Sequence, residues 1–524
     1  MTRNRICIIG SGATAIYTLK QLLASTKALD ITIFESSSEV GKGMPYRADM
    51  NAEYMLCNAF SREIPKVTRS LIEWLEALPR RELGEWELSR HELSARAFYP
   101  RVLIGEFLAD EFAMLVEKFQ RNGHEISIRS PELVVDIVVM PTGDVSIKTD
   151  KSQDDMCFNH VVIATGHAWP TRPKIGDAEL LSPWPYTNVT ALAPGHIGIL
   201  GSSLSAIDVV VALGSTHGQF DDQSGSVSWQ PNSGVSNLKI TMISKMGIMP
   251  EGDFYYPYPY APLDILSPKA VDAEVAKGSD MLLQRLFELL CEELEIADPQ
   301  FWAALGPTSR TIVGFSEAYF KRRQELGGQA AIKMDFAKAR QSVEQRRTIG
   351  SRYVLLRGHE NFDRALRALN DDDWELFSET LLPVFADSYA AVPHLSLARV
   401  IAMFDAGILS LKASDENAVF SNRDGGGVRI KTSEETMAFD VMIDARGQAS
   451  APLENLPFPS LTGNLLDPKR PLLSPFKLAL AGPELTSIYC ISLPQILVKH
   501  PFSQGLANCA ENGKVVATEI LQRL

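Results

Sequence analysis

Residues 6–15 read ICIIGSGATA. Three readings compete for the stretch: the apolar core of a secretion signal, a strand of ordinary core, or the first turn of a nucleotide-binding fold. Arg3 and Arg5 ahead of the apolar run imitate a signal peptide. Against that, Gly10, Ser11 and Gly12 break the run, and Ile16, Leu19, Leu22 and Leu23 continue it as one face of a helix. A second strand, DITIFE at 30–35, ends on Glu35. Strand, glycine turn, helix, strand and acid follow in the order of a dinucleotide fold. The turn is Gly10-x-Gly12-x-x-Ala15, with alanine at the last fingerprint position.

Each position matches a physical demand. Gly10 permits the tight turn, and Gly12 lets backbone amides approach a pyrophosphate. Ala13 opens the helix as part of the same candidate contact, and Ala15 lets the helix lie close on its strand. The helix N-terminus then faces the phosphates. Glu35 is placed to accept hydrogen bonds from ribose hydroxyls. Five residues later comes VGKGMPY (40–46), with Gly41, Gly43, Met44 and Tyr46. Alone it reads as a generic Gly/Pro turn. After the fingerprint, it resembles the FAD-binding half of two-dinucleotide flavoproteins, where a glycine pair after the ribose acid runs along the cofactor.

The 524 residues suffice for two or three domains with real cores. A net charge of −13 argues against nucleic-acid partners, since phosphate binding wants a basic face. No run approaches the ~18–20 apolar residues of a membrane span. The six cysteines, at 7, 57, 157, 291, 490 and 509, form no closely spaced pair. A redox dithiol and a zinc site are therefore not expected, and a reducing cytoplasm suits the pattern. Cys7 and Cys57 read as buried thiols.

A second site is expected further on. VVIATGHAWPTRP (161–173) is a buried strand ending in Ala164-Thr165-Gly166, small residues that let the chain cross near a cofactor. HIGILGSSLSAID (196–208) supplies another strand, turn and helix. Its turn carries Gly201, Ser202, Ser203 and Ser205, with Ser203 in place of the middle glycine. That departure either hinders close backbone approach or offers a hydroxyl to a phosphate. Asp208 falls on the helix and has a structural reading. Beyond a polar loop at 214–237, the strand LKITMISKMG carries Ser244 and Lys245 where an NAD site would carry an acid. A hydroxyl and an ammonium suit the 2′-phosphate of NADP. The bland reading is a surface lysine after a strand.

With these residues the chain resembles the FAD-NAD(P)-binding flavoprotein family. More distantly it is similar to class B flavoprotein monooxygenases, which include N-hydroxylases, Baeyer–Villiger enzymes and flavin-containing monooxygenases. The resemblance rests on GSGATA, Glu35, GKGMPY, ATGHAWP, GILGSSLSAID and a late strand, FDVMIDARGQ (439–448). In that strand Arg446 replaces a threonine-like position. It covers about the first 210 and the last 90 residues.

The resemblance implies FAD, NADP and oxygenation of a small nucleophilic substrate, such as an amine, through a C4a-peroxyflavin. It matches Asn58, in YMLCNAFSREIP (54–65), to an asparagine beside the flavin ring; capping the turn before Pro65 is the alternative. It assigns Gly505 and Asn508 to a C-terminal helix whose N-terminus faces the flavin. His167 is either near the flavin or an ordinary loop histidine. A flavin dehydrogenase or oxidase, and a non-catalytic dinucleotide-binding protein, remain open alternatives.

The middle carries no such resemblance. PEGDFYYPYPYAPLD (250–264) either lines a substrate pocket or packs on the helices that follow. Leu282, Leu286, Leu289 and Leu290 form a core stripe. KRRQE (321–325) and EQRR (344–347) read as solvated helix faces; Arg322, Arg323, Arg346 or Arg347 could instead hold an acidic substrate. The expected architecture is α/β: two Rossmann-like dinucleotide-binding domains with a helical insertion. The division is 1–190 for the FAD part, 191–380 for the NAD(P)H part with the insertion, and 381–524 for the return to the FAD domain. No metal site is expected.

Overall fold

The computed structural model describes residues 4–152, 156–222, 226–325, 327–389, 391–415, 417–481, 483 and 486–524. It divides into two compact units, Met1–Ala168 with Gln448–Leu524, and Trp169–Gly447. The chain thus changes unit at 168/169 and 447/448, not at 190/191 and 380/381. Each change of unit falls within a few residues after a parallel strand, His160–Ile163 in the first unit and Val441–Asp444 in the second.

The first unit runs β1 (Asn4–Ile9), α1 (Ala13–Leu22), β2 (Leu29–Phe34), α2 (Arg101–Arg121) and β3 (Glu125–Arg129). A meander of β4 (Val134–Val139), β5 (Val145–Thr149) and β6 (Met156–Phe158) precedes β7 (His160–Ile163). The second unit has β8 (His196–Leu200), α3 (Leu204–His217) and β9 (Lys239–Ser244), then an inserted set of helices. These include α4 (Pro268–Ala276), α5 (Leu282–Ala297), α6 (Ile312–Gln324), α7 (Gly328–Gln345), α8 (Gly350–Leu366) and α9 (Leu381–Tyr389). It closes with α10 (His394–Asp405), β10 (Leu409–Ala413), a meander of β11 (Val419–Asn422), β12 (Val428–Lys431) and β13 (Thr436–Phe439), and β14 (Val441–Asp444). The chain returns to the first unit for β15 (Ser487–Cys490) and α11 (Leu506–Arg523).

The two units repeat one plan. The first has a parallel sheet in the order β15-β7-β1-β2-β3 and the second a parallel sheet in the order β10-β9-β8-β14. Each has an antiparallel three-stranded meander just before its closing strand. Strands buried on both faces read as unbroken apolar runs, which is why Ile6, Cys7, Ile8, Ile31 and Ile33 are all wholly buried. Each such aliphatic side chain contributes about 1.5–3 kcal/mol. α11 lies against α1 at Gly513, where a Cβ would come within 2.7 Å of the Thr18 amide nitrogen.

Two expectations change, and the aromatic stretch takes one of its two open readings. The stretch 214–237 is not a simple loop. It holds the last turn of α3 and an antiparallel hairpin, Gly218–Asp221 with Ser228–Pro231, pinned by Trp229 Nε1 donating to the Gly214 carbonyl at 2.9 Å. The aromatic stretch is packing: Phe254 and Tyr256 are buried, Tyr256 stacks on Tyr260, and Arg352 and Arg357 of α8 cover Phe254 and Tyr260. Arg323 does not belong to a solvated face. It is largely withdrawn from solvent, its side chain 11% exposed, with Asp387 at 2.8 Å and Asp335 at 2.5 Å, while Arg346 and Arg347 are exposed. In α5, Leu282, Leu286 and Leu290 are core and Leu289 is half-buried.

His160, buried in β7, has its pKa lowered to about 4 by burial, then by Arg523 and Lys477. His167 and His359 are lowered to about 4 as well, again chiefly by burial. An unfolded histidine titrates near pH 6.5, so between there and about pH 4 the unfolded chain binds more protons. Stability is therefore full above about pH 6.5 and is lost as pH falls toward 4. His160 alone accounts for on the order of 3 kcal/mol across that window. We expect the Tm to fall steadily from pH 7 to 4.5 in scanning calorimetry, and His160→Gln to flatten that slope. An unchanged slope in the variant would contradict the assignment.

Candidate dinucleotide sites

Gly10 leaves β1 at φ +101°, where a Cβ would collide with the carbonyl oxygen of Ala164. Its amide donates to Phe34 O at 2.8 Å, and the Ala164 amide donates to Ile9 O at 2.9 Å. Glycine is therefore required at position 10 by both conformation and space. Gly12 packs against Gly43, each with a would-be Cβ 3.1 Å from the other's Cα, and Gly43 has φ +75°. The GKGMPY glycine thus belongs to the fingerprint turn itself. No side chain caps α1 and no acid lies in its first turn, so those amides are open to an anion. Ala13 and Ala15 are buried.

Glu35 is buried beside this turn. Its Oε2 accepts from the Ser11 amide at 3.0 Å and Ser11 Oγ at 2.7 Å, and its Oε1 accepts from the Ser37 amide at 2.9 Å. Ser11 Oγ also accepts from the Gly41 amide at 3.0 Å. Ser11 was missed in the sequence because it fills a variable fingerprint position; its signal was a hydroxyl between two glycines. Met44 and Tyr46 bound a single 3₁₀ turn. Asn51 and Gly105, also missed, hold it: Asn51 Nδ2 donates to Met44 O at 3.2 Å, and a Cβ at Gly105 would collide with Tyr46 O. A glycine inside the long helix α2 was the available signal for the latter.

At the crossover, Thr165 Oγ1 and Ser492 Oγ lie 2.5 Å apart, and the Gly166 carbonyl accepts from the Leu493 amide at 3.2 Å. Gln448 clamps the Ala168 amide and carbonyl at 2.9 and 3.0 Å. His167 is half-buried, and burial, then the Arg101 guanidinium, lower its pKa to about 4, so it is neutral at pH 7. Gly505 starts α11 at φ +88°. Asn508 Nδ2 donates to Phe502 O and Gln504 O, at 3.0 and 2.8 Å, and so ties the preceding turn. A Cβ at Gly166 or Gly505 would meet nothing within 4 Å, so open space adjoins both. Asn58 is exposed next to buried Cys57. Open first-turn amides, a buried acid and glycine-lined space fit a dinucleotide.

The second unit repeats these contacts. Gly201 has φ +119°, and a Cβ there would lie 2.6 Å from Ala445 O. Its amide donates to Ile243 O at 2.7 Å, and the Ala445 amide donates to Leu200 O at 2.8 Å. Ala445-Arg446-Gly447 therefore stands where Ala164-Thr165-Gly166 stands. Arg446 holds the Asp444 carboxylate through Nε and Nη2, both at 2.8 Å.

Ser203 is exposed and extended, at φ −93° and ψ −163°, and leaves the first-turn amides of α3 uncapped. Its backbone conformation suits any residue, so the missing glycine introduces no strain. Ser205 is half-buried in that first turn and Asp208 is buried one turn on. Ser202 Oγ donates to Ile248 O at 2.5 Å, and Ser244 Oγ reaches the same oxygen at 3.5 Å. Lys245 is exposed.

All six cysteines are free. Burial pushes the thiols of Cys7, Cys57 and Cys509 up, that of Cys490 to about 11 and that of Cys291 to about 12. Among the described residues no group of His, Cys, Asp or Glu could hold a metal ion, and no helix is long and apolar enough to cross a membrane.

Residues 7–168, which include the Gly10 turn, match the FAD-NAD(P)-binding family. Residues 267–389, the inserted helices, match the YdhS-like middle domain. The chain is 33% identical to the uncharacterized protein YdhS of Escherichia coli (strain K12), over 99% of this chain and 98% of that one. It belongs to the YdhS family. Its fold is similar to that of the ornithine N-hydroxylase KtzI of Kutzneria sp. 744, at TM-score 0.50 and 13% identity over the whole of both chains. The L-lysine 6-monooxygenase of Pseudomonas syringae aligns at TM-score 0.45 and 15% identity, over 100% of this chain and 99% of that one.

Proposed function

We propose that the protein is an FAD-dependent, NADPH-oxidising monooxygenase acting on a small nucleophilic substrate such as an amine. The observation that carries this reading is the repeated turn, in which Gly10 against Ala164 and Gly201 against Ala445 make the same contacts in two separate units. One dinucleotide fold serves many dehydrogenases; two in one chain suit a flavin enzyme that takes electrons from a nicotinamide cofactor. Bound FAD supplies two-electron redox chemistry and oxygen activation, which no side chain here provides.

The chain's own residues bind and orient. The amides around Gly12 and Ala13 meet the FAD pyrophosphate, and Glu35 accepts from its ribose. Gly43, Met44 and Tyr46, with Thr165, Gly166, Gly505 and Asn508, border the rest of it. Asn58 presents an amide as the candidate catalytic group. Gly201, Ser202, Ser203 and Ser205 take the NADPH phosphates, and Ser244 and Lys245 take the 2′-phosphate. The six cysteines form no closely spaced pair, which disfavours a disulfide reductase. The ornithine N-hydroxylase likeness is one of fold; the L-ornithine, reduced FAD and NADP+ of that structure make amino-acid amines the substrates to try first.

Anaerobic NADPH is expected to bleach the flavin much faster than NADH, and oxygen with the right amine to give a product carrying one added oxygen atom. NADPH oxidation that yields only hydrogen peroxide with every substrate would favour an oxidase. A flavin that stays oxidised would sink the reading. Lys245→Glu should raise the KM for NADPH by about 10- to 100-fold, the weight of one charge-assisted contact, while sparing NADH. Equal effects on both nucleotides would move the 2′-phosphate elsewhere.

A further inference from the structure

A cavity of about 270 Å³ opens between the chain that follows β9, the end of β10, and helices α6 and α7 of the insertion. Its lining includes the apolar side chains of Met246, Met249, Ile332 and Leu411. Three polar side chains reach it, Arg323, Gln324 and Asp335, all from the insertion. The volume is below the ~300–1,000 Å³ of a site for a whole drug-sized ligand. It suits a single flat ring system.

Its position is the informative part. Ser244 and Ala413 are paired at the carboxyl ends of β9 and β10, and ligands of open α/β sheets bind at that edge. The residue Ile248 lines the cavity, and its carbonyl accepts from Ser202 of the glycine-serine turn and from Ser244. Turn, strand end and cavity are therefore contiguous. The insertion holds that wall in shape: Gln324 Nε2 donates to Met246 O at 2.8 Å and Arg323 Nη2 to Met249 O at 2.6 Å. Asp387 orients Arg323 through Nε at 2.8 Å, and Asp335 Oδ2 accepts from Nη1. No hydrogen bond to the other Asp335 oxygen, Oδ1, exists among the described residues.

We propose that this cavity receives the adenine of the second dinucleotide, with the Asp335 carboxylate accepting from its exocyclic amine. The inference rests on the NADPH reading of that site and extends it. Pyrophosphate at the Ser202–Ser203 turn, ribose at Ser244 and Lys245, and the base in the cavity follow the dinucleotide's own order. Adenine is its flat, uncharged part and carries an amine donor; methionine thioethers adapt to such a ring face. The insertion is then a specificity element, built where a plain dinucleotide fold has only a crossover helix.

The test is calorimetric titration of the flavin-loaded full chain with NADP+ and with its deaminated, hypoxanthine-containing analogue, which presents a carbonyl where adenine presents an amine. The native protein should bind NADP+ about 10- to 100-fold more tightly than the analogue, the weight of one charge-assisted hydrogen bond. Asp335→Asn should bring that ratio close to one. Ile332→Phe, which narrows the cavity and leaves the Arg323 network intact, should weaken both ligands together and keep the flavin content unchanged; it decides the matter if Asp335→Asn does not fold. A native ratio of one, a native-like ratio in Asp335→Asn, or unweakened binding in Ile332→Phe would overturn the adenine assignment while leaving NADPH at the second site. No NADP+ binding to the native chain would overturn both.

Discussion

Gly10→Val is expected to purify with little or no flavin. The backbone at residue 10 stands at φ +101°, a conformation a β-branched residue adopts only under strain, and the new side chain would begin against the Ala164 carbonyl oxygen. That carbonyl belongs to the chain leaving β7, whose alanine amide already donates to Ile9. Relief therefore requires β1 and β7 to move apart, or the turn to swing away from α1. The combined cost is on the order of 3–5 kcal/mol, a large part of a domain's net stability. The same movement parts Gly12 from Gly43 and disturbs the Ser11–Glu35 pair, so the cradle is lost even in chains that fold. Flavin per chain, read from visible absorbance against protein concentration, is the measurement. A variant with full flavin content would refute the geometry of the first turn.

Gly201→Val should separate the two sites. The constraint is the same, φ +119° and the Ala445 carbonyl 2.6 Å from a would-be Cβ, but it acts within the second unit. Flavin content should remain near native, while bleaching of that flavin by NADPH slows by at least about 100-fold, as expected when the phosphate-binding turn is displaced by a cost of ~3 kcal/mol. The pair of variants thus yields opposite signatures, an empty first site in one and an unreduced flavin in the other. Normal reduction kinetics in Gly201→Val would mean that the nicotinamide cofactor enters by a route other than the repeated turn.

How much of this was legible in advance follows from the range of each interaction. The GSGATA turn and the Glu35 position are a local pattern of strand, turn and helix spelled within about thirty residues, and the second turn with Ser244 and Lys245 repeats it over a longer span. The ARG of 445–447 was visible as a counterpart of the ATG at 164–166, although only the structure gives it the same contacts with its glycine turn. Asn508 illustrates the limit. Its place near a helix start was evident, but its amide spends its donors on Phe502 and Gln504, a use that depends on how the preceding turn folds back.

Arg323 marks the division most clearly. In KRRQE three cations follow one another, and no periodicity tells which of them turns inward. Asp387 and Asp335, contributed by other helices, make that choice by offering partly buried carboxylates to the Arg323 guanidinium. The pairing of Gly12 with Gly43 and the cavity beneath Met246 and Met249 are of the same kind, since residues distant in the chain become neighbours only once strand order and crossovers are set. Local backbone demands, above all glycine where φ is positive, were therefore written in the chain's own pattern and marked both glycine turns. Which charged and apolar side chains complete those turns was decided by packing, because burial rewards long-range partners that no neighbour in sequence can specify.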